Sequence, residues 1–434
     1  MTKRNAVMVA ALSLTLCGWA QQPLTMTVEE LFERVEQHSK SLKVLRTNEA
    51  VAAEGVEEAR NQRLPDINSS LSVSYIGNVM LSNREFGDVH GYSSPHFGNS
   101  FSVEAQQVVY AGGAVDAGIR IAHLRREQAT LGVETMRQQL CFLALGQFLE
   151  LFKLHNSIRV FDRNIQLTNQ LLSYIRERHQ QGMALRNDIT RYELQAENLK
   201  LGKRKLTDQC AIINHQLCNL LDLHDVDIVP NGQTAAIAIG KEGEQQWQTE
   251  ALTASPMMQQ SALDIRMAHQ EVALAKSEML PKAVVFAAES FNGPFTYDIP
   301  PIDKNVNVWY FGVGISYPIH SLFKGKTKVR QAKMRVGQRE EERALQAENL
   351  NNEVQAAYTN YLESFVEQET RQKAVQLATQ NYQVVNERYL NQLALITDMV
   401  DASNVKLNAE LDEVNAGINI IFAYYKLKYI AGTL

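Results

Sequence analysis

Ile67-Asn68-Ser69-Ser70-Leu71-Ser72-Val73-Ser74-Tyr75 decides the fold, because its side chains alternate with a period of two. Ile67, Ser69, Leu71, Val73 and Tyr75 fall on one side and Asn68, Ser70, Ser72 and Ser74 on the other, the pattern of a strand with one wet face. Asn307, Trp309, Phe311, Val313, Ile315 and Tyr317 repeat it, with Val308, Tyr310, Gly312, Gly314 and Ser316 opposite. Weaker strands run from Phe101 to Tyr110 and from Ala283 to Phe291. The expected strands therefore lie near residues 66–79, 100–110, 282–292 and 306–319. They form two pairs, each split by a polar loop, Leu81 to Ser100 and Asn292 to Asn305.

Outside these strands the chain reads as helix. No proline interrupts the 134 residues between Pro95 and Pro230, or the 116 residues after Pro318. Both stretches are rich in Leu, Ala, Gln, Glu and Arg, which favour helix. The expected helices are Gly113 to Arg178, Arg186 to Leu221, Lys326 to Leu390 and Ile396 to Ala431. At about 1.5 Å per residue the longer ones reach on the order of 100 Å, a length that requires coiled coil or helical hairpin.

An internal repeat orders the pieces. At an offset of 210, Phe101, Val103 and Arg120 match Phe311, Val313 and Arg330; Glu177 and Arg178 match Glu387 and Arg388; Ala184, Leu185 and Asp188 match Ala394, Leu395 and Asp398. Before the strands the offset is 216, pairing Ala52, Val56, Leu64 and Pro65 with Ala268, Val272, Leu280 and Pro281. The change falls in the first strand-to-strand loop, where length is free to vary. Each half, about 25–221 and 247–434, reads helix, strand, loop, strand, long helix, turn, helix. Residues 222–246 link them.

Composition narrows the function. The chain has 434 residues, 43 Lys and Arg against 48 Asp and Glu, and a formal charge of −5, the wrong sign for a nucleic-acid binder. A mean hydropathy of −0.25 and the lack of a long apolar run exclude a polytopic helical membrane protein, but alternating strands escape such windows. Residues 1–20 read as an export signal: Lys3 and Arg4 precede the apolar run Ala6 to Cys17, and small residues lead to a cleavage site after Ala20. The mature chain is then 21–434. Acylation at Cys17 is the alternative, disfavoured by Leu16 where a small residue is usual. Cys141, Cys210 and Cys218 remain, an odd number that argues against a disulfide framework and for buried apolar roles.

Four strands close no barrel of useful bore, and an open sheet of four has two exposed edges, so the chain needs partners. Three copies supply twelve strands; two or four would also close the edges. Enzyme signatures fail: Gly325-Lys326-Thr327 lacks the first glycine of a phosphate loop, His320 standing there, and Cys210, His215, Cys218 and His224 have no regular zinc spacing. No cofactor is called for.

The order of elements, Leu64-Pro65 and Leu280-Pro281 at the strand entries, Tyr110-Ala111-Gly112-Gly113 at a strand exit and Thr397-Asp398-Met399-Val400-Asp401-Ala402-Ser403 resemble the TolC-type outer-membrane efflux proteins. Leu24-Thr25-Met26-Thr27-Val28-Glu29-Glu30-Leu31 is similar too, and Thr27 with Glu30 forms a capping box. The resemblance implies a mainly α fold with a β-barrel portion. Three chains would share a 12-stranded barrel in the outer membrane and a periplasmic tunnel of α-helical hairpins. It also implies a periplasmic adaptor and an inner-membrane pump as partners, and a passive exit conduit for small toxic molecules or a secreted polypeptide.

By the same resemblance, Asp398 and Asp401 are the channel gate, Tyr389 and Asp188 a tip link, and the Gly182 and Gln392 turns the contact with partner proteins. Trp309, Phe311 and Tyr317 are expected to face lipid, and Pro65, Pro281 and Gly113 to form the helix–strand junctions. Ala394 and Gln392 depart from the family, which often has Arg and Gly there. The alternative reading is a structural or adhesive coiled-coil protein without a conduit. The half-wet strands speak against it, since a coiled coil has no use for them.

Overall fold

A computed structural model describes residues 22–231 and 243–434. The expected export signal lies outside them, as does part of the linker. The long helices form as their composition requires: α3 (Ala114–Gln180), α4 (Arg186–Leu221), α7 (Ser321–Leu390) and α8 (Ile396–Ala431). Helices α4 and α8 begin and end 210 residues apart, so the repeat seen in sequence is a repeat of backbone. The chain divides into two compact units, and α3 and α7 contribute to both.

The first unit holds α1 (Val28–His38), residues 137–180 of α3, all of α4 and α8, and residues 353–390 of α7. Thr27 opens α1: its hydroxyl accepts from Glu30 N at 3.3 Å while the Glu30 carboxylate accepts from Thr27 N at 2.8 Å. Phe148, Leu145, Leu31, Leu217 and Leu427 are fully buried at its centre. Within the linker, residues 226–230 form a strand that its weak periodicity did not suggest. β6 (Val226–Pro230) pairs in parallel with β1 (Gln22–Met26), and the buried Asn214 side chain completes β6 by donating to Val226 O and accepting from Ile228 N. A buried amide satisfies two backbone groups that no third strand reaches.

The second unit holds most of α2 (Lys40–Asn61), residues 114–136 of α3, residues 250–254 of α5 (Glu244–Ala254), α6 (Pro256–Ser277), residues 321–352 of α7 and the main sheet. Ala268 and Val272 of α6 pack on Ala332 and Val336 of α7, small side chains that let the helices approach. The sheet is antiparallel in the order β2 (Asp66–Tyr75), β5 (Phe97–Tyr110), β7 (Lys282–Gly293), β8 (Val306–Ser316). Strand β2 stops at Tyr75 rather than near 79, because a separate hairpin begins at β3 (Val79–Leu81), which pairs with β4 (His90–Tyr92). Strand β5 starts three residues earlier than the sequence suggested, since Phe97, Gly98 and Asn99 pair with the end of β2. Strand β8 ends at Ser316, two residues before Pro318.

Candidate functional site

The two hairpin tips are built alike. In the first, Met183 N donates to Arg178 O at 2.8 Å and Gly182 N to His179 O at 3.0 Å; in the second, Leu393 N donates to Arg388 O at 2.7 Å and Gln392 N to Tyr389 O at 3.0 Å. Both are helix-ending turns with a left-handed residue, Gly182 at φ 76° and Gln392 at φ 62°. The following helices begin alike too. Asp188 accepts from Leu185 N at 3.2 Å and Asp398 from Leu395 N at 3.0 Å, each carboxylate holding one of the free amides of a helix N-terminus.

A shared apolar cluster joins the tips: Leu172, Ile175, Ile189 and Tyr192 from the first hairpin, Ile396 and Met399 from the second, with Tyr389 packed against them. Tyr389 is half-buried. Burial and the nearby Asp188 carboxylate push its phenol up to about 12, against the opposing pull of Arg178. Within one chain the Asp188 charge thus reaches the Tyr389 phenol. Arg178, which sequence reasoning used only as a repeat match, makes the direct link. Its guanidinium donates to Leu390 O at 2.8 Å and lies 5.6 Å from the Tyr174 ring centre. It thereby satisfies a carbonyl at the end of α7.

Asp398 and Asp401 are both exposed and, three residues apart on α8, share one face. In the first hairpin the equivalent positions hold Asp188 and Arg191. The second tip thus presents two carboxylates without a cation beside them in the repeat pattern, whereas the first presents an acid and a base.

The two faces of the sheet differ, one mainly apolar but holding Glu289 and Gln107, the other mixed, with Val284, Phe286 and Tyr310 among its polar side chains. Register puts Trp309, Phe311, Val313 and Ile315 on the same face as Val285, Phe101, Val103, Leu71 and Val73. Most of this face is bare: Phe311 is 78% and Trp309 69% exposed. The other face carries Ser70 and Ser102, hydroxyls 2.9 Å apart, together with Ser100, Asn292 and Glu104. Tyr317 lies one residue beyond β8. Pro65 and Pro281 each stand immediately before a strand, where no ladder donor is needed. At the strand exit the critical glycine is Gly112. Both Gly112 and Gly113 have positive φ, but a Cβ on Gly112 would sit 2.7 Å from Leu280 Cβ and 2.8 Å from Ser277 O, while Gly113 faces open space.

The cysteine–histidine group falls in a cleft of about 580 Å³ lined by His155, Cys210, Asn214, Cys218, His224 and Asp227 among others. Cys210 Sγ is 3.5 Å from His155 Nε2, and burial with the Asp227 charge pushes its thiol up to about 11. Cys141, Cys210 and Cys218 are all unbridged. Among the described residues no three His, Cys, Asp or Glu side chains converge as metal ligands, and no helix is long and apolar enough to cross a membrane.

Comparison with known proteins places these features. Residues 247–433 match the family described as Outer membrane efflux protein. The fold is that of solved outer-membrane channels. OprN aligns over 94% of this chain and 90% of its own, with a TM-score of 0.77 and 15% identity. VceC of Vibrio cholerae aligns over 93% and 96%, at 0.74 and 15%. CusC aligns over 96% and 94%, at 0.78 and 13%. No curated protein matches. The second half of the chain is thus similar to the outer membrane efflux protein family, and the chain as a whole has the fold of the outer-membrane channels.

Proposed function

We propose that this chain is the outer-membrane exit duct of a tripartite efflux or export system, a homotrimer whose four-stranded sheets join into a 12-stranded barrel above a periplasmic helical tunnel. The observation that carries this reading is the sheet itself. One face is largely apolar and bare, broken by Glu289 and Gln107, the other is serine-rich on β2 and β5 but carries Val284, Phe286 and Tyr310 on β7 and β8, and β2 and β8 are open edges among the described residues. Bare apolar surface of that extent fits lipid, and open edges fit copies of the same sheet.

In this reading Trp309, Phe311 and Tyr317 contact lipid. The lumen is lined by the serine-rich face, and Asp398 with Asp401 gives two rings of carboxylates at the closed tip, favouring cations there. Adaptor and inner-membrane pump engage the Gly182 and Gln392 turns and spread the second hairpin. The pump supplies the energy, and this chain performs no covalent chemistry; its residues position charge and exclude or admit solutes.

Fractionation tests the reading. An SDS-resistant, heat-dissociable oligomer in the outer membrane supports it, and a salt-extractable periplasmic protein refutes it. Phe311→Lys should cost about 2–4 kcal/mol of membrane stability if its face meets lipid. Ser102→Lys on the opposite face should cost far less, and equal losses of assembled oligomer would overturn the assignment of faces.

A further inference from the structure

The chain leaving β8 carries charge of one sign. From Lys324 to Arg339 the start of α7 holds seven Lys and Arg, and no Asp or Glu stands between His320 and Glu340. All seven are exposed. Lys328 pairs with Glu278 and Arg339 with Glu342, but Lys324, Lys326, Arg330 and Lys333 make no ion pair among the described residues. Folding does not require this charge. At the offset of 210, α3 makes the same helix with Ala114, Asp116 and His123 where α7 has Lys324, Lys326 and Lys333. Cations in the first turn of a helix also oppose its dipole.

Placement gives the charge a direction. Ala332 and Val336 hold α7 against α6. At 3.6 residues per turn, Lys324, Lys328 and Arg335 fall to one side of that contact and Lys326, Arg330 and Lys333 to the other, so each flank carries at least three cations. Immediately before them stand bare apolar side chains, with Phe323 79% and Ile319 66% exposed. Apolar side chains followed within about 15 Å of helix by Lys and Arg match the order of a bilayer boundary, acyl chain and then phosphate headgroup.

We infer that the start of α7 is a membrane-surface contact that takes the headgroups of acidic phospholipids, its Lys and Arg on the lipid phosphates and Ile319 and Phe323 at the edge of the acyl chains. The inference rests on the reading above that the sheet lies in a bilayer, which β8 leaves where α7 begins. It gives the second half of the chain a hold on the lipid surface that the first half lacks.

The test titrates the full chain, purified as an oligomer in uncharged detergent, with fluorescent phosphatidylglycerol or phosphatidylcholine in mixed micelles. The unaltered oligomer should prefer phosphatidylglycerol, and high salt should weaken the preference. Lys324→Gln/Lys326→Gln/Arg330→Gln/Lys333→Gln should lose most of it, about fivefold for each cation at the lipid surface. Lys324→Arg/Lys326→Arg/Lys333→Arg should keep it. Arg163→Gln/Lys200→Gln/Arg204→Gln/Lys205→Gln, which removes four exposed cations from the other compact unit, should keep it too. An unaltered oligomer without the preference overturns the contact and leaves the duct intact, as does a preference that survives in the α7 glutamine variant or falls equally in both glutamine variants. If the fourfold α7 variant does not assemble, Lys324→Gln and Lys326→Gln are read singly, and no loss in either refutes the contact. A chain that forms no oligomer and stays soluble without detergent sinks both readings.

Discussion

The two hairpin tips have the same backbone and different side chains. Each ends its first helix with the same pair of turn hydrogen bonds and starts its second with an aspartate holding the amide three residues earlier. Yet the left-handed position is glycine in the first and glutamine in the second, and the charged pair on the following helix is a half-buried Asp188 with an exposed Arg191 in one, an exposed Asp398 with an exposed Asp401 in the other. A duplicated framework has kept its geometry while its two copies diverged in strain and charge. The second tip bears both the less comfortable turn and, in the repeat pattern, the pair of like negative charges.

The sharpest way to break this comparison is to make the tips electrically alike. Asp398→Asn/Asp401→Asn removes both charges but keeps an acceptor for Leu395 N, so the helix start survives with a loss of about 0.3–1 kcal/mol from the helix dipole. Reversal potentials across a planar bilayer should show cation preference lost. Asp401→Arg, which gives the second tip the pair of the first, should carry the preference toward anions. Unchanged selectivity in both would remove Asp398 and Asp401 from the gate and leave the channel reading standing.

The long helices were legible from two proline-free stretches, and the second-half tip sequence carried the resemblance. The alternation at Ile67 to Tyr75 gave a strand whose apolar side chains the structure leaves bare. Other features were hidden for physical reasons. The β1–β6 pair joins residues some 200 apart through five-residue strands, too short to leave a period, and its edge is finished by one buried amide, Asn214. Gly112 and Gly113 look equivalent in sequence; only the approach of Leu280 tells them apart. Arg178 was visible as a repeat match, but its role depends on a backbone carbonyl of another hairpin. The contrast of Arg191 with Asp401 was readable from the offset of 210.

A smaller effect should separate the turns. A non-glycine residue in the left-handed region costs ~1 kcal/mol, so Gly182→Gln should loosen the first turn and Gln392→Gly should tighten the second. Hydrogen exchange at the two turn amides reads this directly. Leu393 should exchange about fivefold faster than Met183 in the unaltered protein, and each substitution should bring its turn toward the other's rate. Equal rates would mean that tertiary packing, not the turn residue, fixes local stability at both tips.

The last and least effect is confined to alkaline pH. Tyr389 has its phenol raised to about 12 by burial and by Asp188. The folded tip therefore holds the phenolic proton more tightly than the unfolded chain does, so this contribution to stability is complete below pH 10 and fades as pH climbs from 10 through 12. Conductance should rise across that window as phenolate forms beside Asp188 and drives the hairpins apart. In Tyr389→Phe no charge can form, and the part of the rise due to Tyr389 should vanish, leaving what Tyr382 and Tyr192, also raised by burial, contribute at higher pH. Superimposable profiles would show that the neutral phenol holds nothing closed. The link between the hairpins would then rest on hydrogen bonds such as those of Arg178 and Gln195 and on the apolar cluster around Met399.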